Sequence, residues 1–116
     1  MDYRDVVRIR ANGHCERCGI SIVNRPASIH HRRPRGMGGT RAEGINTPEN
    51  CVVLCGSGTT GCHGWVESYR ETAIEEGWLL PRRDQRDPAE APVFAEGDWY
   101  LVTADALVPI DLTPPF

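Results

Sequence analysis

Residues 55–67 read CGSGTTGCHGWVE. Cys55 and Cys62 are separated by six residues, among them Gly56, Gly58 and Gly61. Glycines at those places let a chain fold back tightly, so the stretch reads as a lengthened metal-binding knuckle. It lacks the Lys-Ser/Thr that would follow in a phosphate loop. His63 comes directly after Cys62, and CHGWVESYRETAIEEGW (62–78) has a helical pattern. Trp65, Tyr69 and Ile74 lie near one stripe, and Gly77 ends it.

Just upstream, NCVVLC (50–55) is a short apolar run expected to form a strand buried on both faces. Further upstream, HCERCG (14–19) places Cys15 and Cys18 in a Cys-x-x-Cys turn. Four thiolates from two turns can close a tetrahedral zinc site. In a chain of 116 residues such a site supplies folding energy that a small core does not. The alternative is four ordinary buried thiols. Cys51 alternates with Val53 and is expected to pack in the core. His14 is expected at the surface.

Hydrophobic content of 40% with three Trp is enough to fold, while twelve Gly and nine Pro point to many turns. No apolar run approaches the length of a membrane span. The start, MDYRDVVRIR, mixes charges and resembles no signal peptide, so a cytoplasmic chain is expected, where paired cysteines favour metal over disulfide. Asp2 can cap a short helix running to about Asn12, with Gly13 as its stop. The net charge of −3 hides an asymmetry. Residues 1–50 carry nine Arg against five acids, and residues 51–116 carry four Arg against eleven acids. That pattern can confine an electropositive face to one part of the domain. Every basic residue is Arg; guanidinium suits phosphate, although coding bias is the simpler source of the global pattern.

ASIHH (27–31) has the β-branched look of a strand ended by Pro34. Adjacent strand residues face opposite ways, so His30 and His31 can do different jobs, one on a metal and one toward substrate. The bland alternative is a pair of solvated histidines. Glu67 lies four residues after His63, on the same helical face. The cysteine knot can thus gather His30, His63 and Glu67 around one ion with positions left for water and phosphate. Glu67 as a solvated helix residue is the competing reading.

The combination of Cys15-x-x-Cys18, HH at 30–31, GG at 38–39, Asn50 leading VVLC, and CH at 62–63 resembles the HNH endonuclease family. It is similar in particular to small stand-alone phage HNH proteins with four zinc-binding cysteines. The resemblance covers about residues 15 to 70. It implies a small α+β fold: a ββα-metal motif within a treble-clef-like zinc knot, here with a short C-terminal β extension. It also implies DNA cleavage dependent on a divalent ion (Mg²⁺, Mn²⁺ or Ni²⁺), beside a structural Zn²⁺ on Cys15, Cys18, Cys55 and Cys62. On this resemblance His31 is the general base and Asn50 braces the loop that carries it. His30 and His63 are metal ligands. The family commonly has a further His where this chain has Glu67, a departure; a carboxylate would favour Mg²⁺ or Mn²⁺. Products with 5′-phosphate and 3′-hydroxyl ends are implied. Arg32, Arg33 and Arg35 follow the base, where a phosphodiester backbone must pass, and are expected to contact it.

Residues 1–79 are therefore expected to form the nuclease core. Residues 80–116 would be a Pro-rich connection and a β extension, with turns at Glu96-Gly97-Asp98 and Ala104-Asp105-Ala106. That extension either covers the core through Trp99, Tyr100 and Val102 or docks a partner. DNA is the expected partner, nicked or cut with limited sequence specificity, because no recognition helix is evident. Phage terminase or portal proteins are possible further partners in a bacterial host cytoplasm. The alternative function is a non-catalytic, zinc-stabilised nucleic-acid-binding or adaptor module.

Overall fold

The computed structural model describes residues 1–34 and 45–111. Gly36, Gly38, Gly39, Arg35 and Arg41 lie outside the described residues.

Helix α1 (Tyr3–Ala11) begins where the Asp2 carboxylate accepts from the Arg4 amide and ends at Asn12, whose φ is 51°. Asp2 is the expected cap; the helix stops one residue before the expected Gly13, because Asn12 itself takes the left-handed conformation. Strands β1 (Ala27–His31) and β2 (Cys51–Cys55) pair antiparallel, with His30 opposite Val52 and His31 opposite Cys51. Helices α2 (Gly61–Ser68) and α3 (Arg70–Glu75) follow. A single helix was expected here. Instead Tyr69 leaves the helical conformation (φ −120°, ψ 58°), although its amide still reaches the Trp65 carbonyl and its carbonyl the Ala73 amide. The result is two short helices joined at Tyr69.

The remaining strands, β3 (Val93–Ala95), β4 (Asp98–Val102) and β5 (Leu107–Ile110), form a separate antiparallel meander. Its first turn has positive φ at both Glu96 (51°) and Gly97 (89°), which matches the twist of the flanking strands. No helix among the described residues is long and apolar enough to cross a membrane.

Strand β2 is buried on both faces, as its unbroken apolar run suggested. Cys51 and Val53 pack with Val7 and Ala11 of α1. Val52 and Leu54 pack on the other side with Val66, Ala73, Trp78, Leu79, Val93, Ala95 and Val102. Residues on both sides of position 80 thus share one apolar cluster. Each fully buried Leu or Val contributes roughly 1.5–3 kcal/mol.

A buried ion pair ties these layers together. Arg10 donates through Nε and Nη2 to Glu16 at 2.7 and 2.8 Å, and through Nη1 to the Pro48 and Thr103 carbonyls. Glu16 in turn accepts from the Val53 amide. Helix α1, the first cysteine turn, β2 and the end of β4 are joined at one guanidinium.

Candidate metal centres and active site

The two cysteine turns meet at the far end of the hairpin from the histidines. One metal-binding sulfur from each of Cys15, Cys18, Cys55 and Cys62 lies within 4.8 Å of all the others. Cys18 Sγ and Cys55 Sγ are 3.8 Å apart. The edge of a tetrahedron with Zn–S bonds of about 2.3 Å is about 3.8 Å, so the cluster is compatible with zinc. Gly56 makes the lengthened turn possible: its φ is +88°, and a Cβ there would come within 2.0 Å of the Thr60 carbonyl oxygen. Gly64 lets the start of α2 press on the same turn, since a Cβ there would sit 2.5 Å from the Thr59 carbonyl carbon. The Cys15 thiol is pulled down to about 4, chiefly by the hydrogen bond it shares with Cys62. Cys62 is pushed up by the same bond and by burial.

The second cluster forms where β1 passes the start of α2. His30, His63 and Glu67 each bring one ligand atom within 4.8 Å of the others. His30 is buried, and its Nε2 donates to the Trp78 carbonyl at 2.8 Å, leaving Nδ1 as the ring's lone-pair atom. Burial lowers its pKa to about 4; the Trp78 bond opposes that shift and the nearby His63 adds to it. The ring is therefore neutral, as a ligand must be. His63 Nδ1 is 2.8 Å from Ser28 Oγ, which fixes that ring and turns Nε2 outward. Glu67 is exposed and pairs with Arg70 at 3.5 Å, its carboxylate closing the open side of the cluster. Two imidazoles and a carboxylate suit a hard or borderline divalent ion.

His31 points to the opposite side of the hairpin, toward α1. Its Nε2 lies 3.0 Å from Asn46 Oδ1 and 3.5 Å from the Tyr3 hydroxyl, and the Tyr3 ring meets it edge-on at 6.0 Å. Asn50 is fully buried at the other end of the same loop. Its Oδ1 accepts from the Arg33 amide, and its Nδ2 donates to the Arg33 and Ile45 carbonyls. The chain just after His31 and the chain just before β2 are thereby clasped by one amide.

The family match takes in the four cysteines and the two histidines of the second cluster. Residues 15–64 match the family model of HNH endonucleases. That stretch is similar to an HNH endonuclease domain. The chain matches no curated protein and no solved structure among those compared. The matched stretch contains both cysteine turns, the hairpin and His63, and stops before Glu67.

The expected role of Arg32 is corrected by the structure. Its side chain has no exposure to solvent. The guanidinium donates to the carbonyls of Gly77 (2.9 Å), Glu49 (3.0 Å), Pro88 (3.0 Å) and Ala91. A DNA phosphate has no route to it. Arg33 is half-buried, with its guanidinium on the Asp84 and Arg86 carbonyls. Arg35 lies outside the described residues. With Arg10 also buried, part of the basic excess of residues 1–50 is spent inside the domain.

Several residues at these sites had gone unnoticed in the sequence. Ser28 was findable, because it lies two residues before His30 and so shares its strand face. Arg17, whose Nη1 donates to Cys62 Sγ, was findable too, lying inside Cys-x-x-Cys. Asn46 and Tyr3 carry no local signal for their places beside His31.

Proposed function

We propose that this protein is a metal-dependent HNH endonuclease that hydrolyses phosphodiester bonds of double-stranded DNA. The observation that carries the reading is the division of labour at the end of β1. His30 faces His63 and Glu67, while His31, its neighbour, faces the other way and is held by Asn46.

In this reading His30, His63 and Glu67 hold a divalent ion. When bound, the ion supplies a positive centre that neutralises charge developing on the phosphate and the departing 3′-oxygen. His31 acts as general base: a neutral imidazole takes the proton of the attacking water. Asn46 holds the ring in place. Asn50 keeps the following chain clasped, so the base keeps its position when DNA binds. The cysteine site pins the start of α2, and with it His63, against the hairpin. Nicking with limited sequence specificity fits a small domain of this kind. A phage setting and a terminase or portal partner are expectations of the resemblance, without support in the geometry.

The test is cleavage of supercoiled plasmid by zinc-loaded protein supplied with Mg²⁺, Mn²⁺ or Ni²⁺, beside His31→Ala. The expected result is metal-dependent nicking that the variant loses by about 10²-fold or more. Wild type and variant that bind DNA equally and leave it intact would overturn the nuclease and favour the non-catalytic binding module.

A further inference from the structure

Arg17 lies between Cys15 and Cys18, and its side chain turns across the cysteine cluster to α2. Its Nη1 donates to Cys62 Sγ at 3.2 Å. Its guanidinium carbon lies 3.5 Å from the centre of the Trp65 ring. Its Nε is buried, and among the described residues it has no hydrogen-bond partner.

A part-buried guanidinium whose Nε is buried without a partner is costly beside four neutral thiols. Beside four thiolates it is not. A zinc ion with four cysteinates carries a net charge of −2, and a cation in contact with one sulfur is attracted by the whole centre. The Trp65 face adds a cation–π contact and keeps water off one side of the guanidinium. A lysine cannot reproduce this, because only the planar guanidinium can stack on the indole and donate in its own plane to the sulfur.

We propose that Arg17, held flat by Trp65, is the built-in counter-charge of the zinc centre, and that it slows zinc loss by donating to the Cys62 thiolate. The inference rests on the zinc reading of the four cysteines. Because Cys62 precedes His63, the same contact steadies the first turn of α2.

The experiment uses the full zinc-loaded chain. Zinc per chain is measured by elemental analysis, and release is followed as zinc is captured by the chelating dye 4-(2-pyridylazo)resorcinol. Arg17→Met, which keeps an unbranched apolar stem and removes the charge and donors, is expected to release zinc about 10-fold faster or more. Arg17→Lys should fall between it and wild type. In cobalt-substituted protein, the thiolate-to-cobalt absorption band should move in Arg17→Met, a shift that loosened packing alone does not produce. Release and spectrum unchanged in Arg17→Met would overturn the proposal. If that variant does not fold, Arg17→Lys and Trp65→Leu decide instead: faster release from both supports the clamp, and wild-type rates from both overturn it. A wild-type chain that binds no zinc would remove the zinc reading itself. A zinc-bound wild type with unchanged variants would remove only the role of Arg17.

Discussion

The imidazole of His30 is locked by the carbonyl of Trp78. Nε2 lies 2.8 Å from that oxygen and must be the donor, because a carbonyl only accepts. One backbone atom, 48 residues away in sequence, thus decides which nitrogen of His30 can bind an ion.

Burial lowers the His30 pKa to about 4, below its value of about 6.5 in an unfolded chain. Between those values the unfolded chain takes up the proton and the folded chain does not. The stabilisation is therefore present above pH about 6.5 and is lost as pH falls through about 4, a loss of roughly 3 kcal/mol. In zinc-loaded protein without a second ion, the His30 ring resonances should titrate near pH 4 by NMR. A midpoint near 6.5 would mean the ring reaches water.

Ser28 holds His63 as Trp78 holds His30. Ser28→Ala leaves the hairpin intact and frees the His63 ring to rotate. The expected outcome is about 10- to 100-fold weaker binding of Mn²⁺ at the His30–His63–Glu67 cluster, read by calorimetry, with zinc content unchanged. Equal affinity would show that His63 needs no outer partner.

Arg32 is a structural residue, so its loss should be felt in stability first. Arg32→Met leaves four carbonyls without their donor, those of Gly77, Glu49, Pro88 and Ala91. We expect a loss of about 3 kcal/mol or more in denaturant unfolding. The salt dependence of DNA binding by the folded fraction should stay as in wild type, because a buried cation releases no counterions from DNA. A flatter salt dependence in the variant would return Arg32 to the DNA surface.

Removal of zinc should cost the fold and not only the activity. The second cysteine turn is built on positive-φ glycines and ends at the residue before His63, and its two sulfurs meet those of the first turn. Strong chelation is expected to collapse the dispersion of the amide NMR spectrum, with recovery on adding back zinc. A dispersed spectrum after complete removal would make the cysteines ordinary core residues.

Much of this protein was legible along the chain because its key signals are local. Cysteine spacing, glycines at a reversal, an Asp cap and an apolar run are each complete within about ten residues. So the four-cysteine cluster, the opposed histidines and the double-sided burial of β2 could be read before any contact was known. Other features depend on residues far apart in sequence. Arg32 stands in an arginine cluster that looks built for phosphate. Yet four carbonyls from residues 49, 77, 88 and 91 converge on it, and their convergence exists only once the C-terminal meander packs on β2. Asn46 reaches His31 across 15 residues and Trp78 reaches His30 across 48, distances that no local pattern covers. Side-chain chemistry and spacing settle which groups can act; tertiary packing settles which are satisfied inside and which are left to meet substrate.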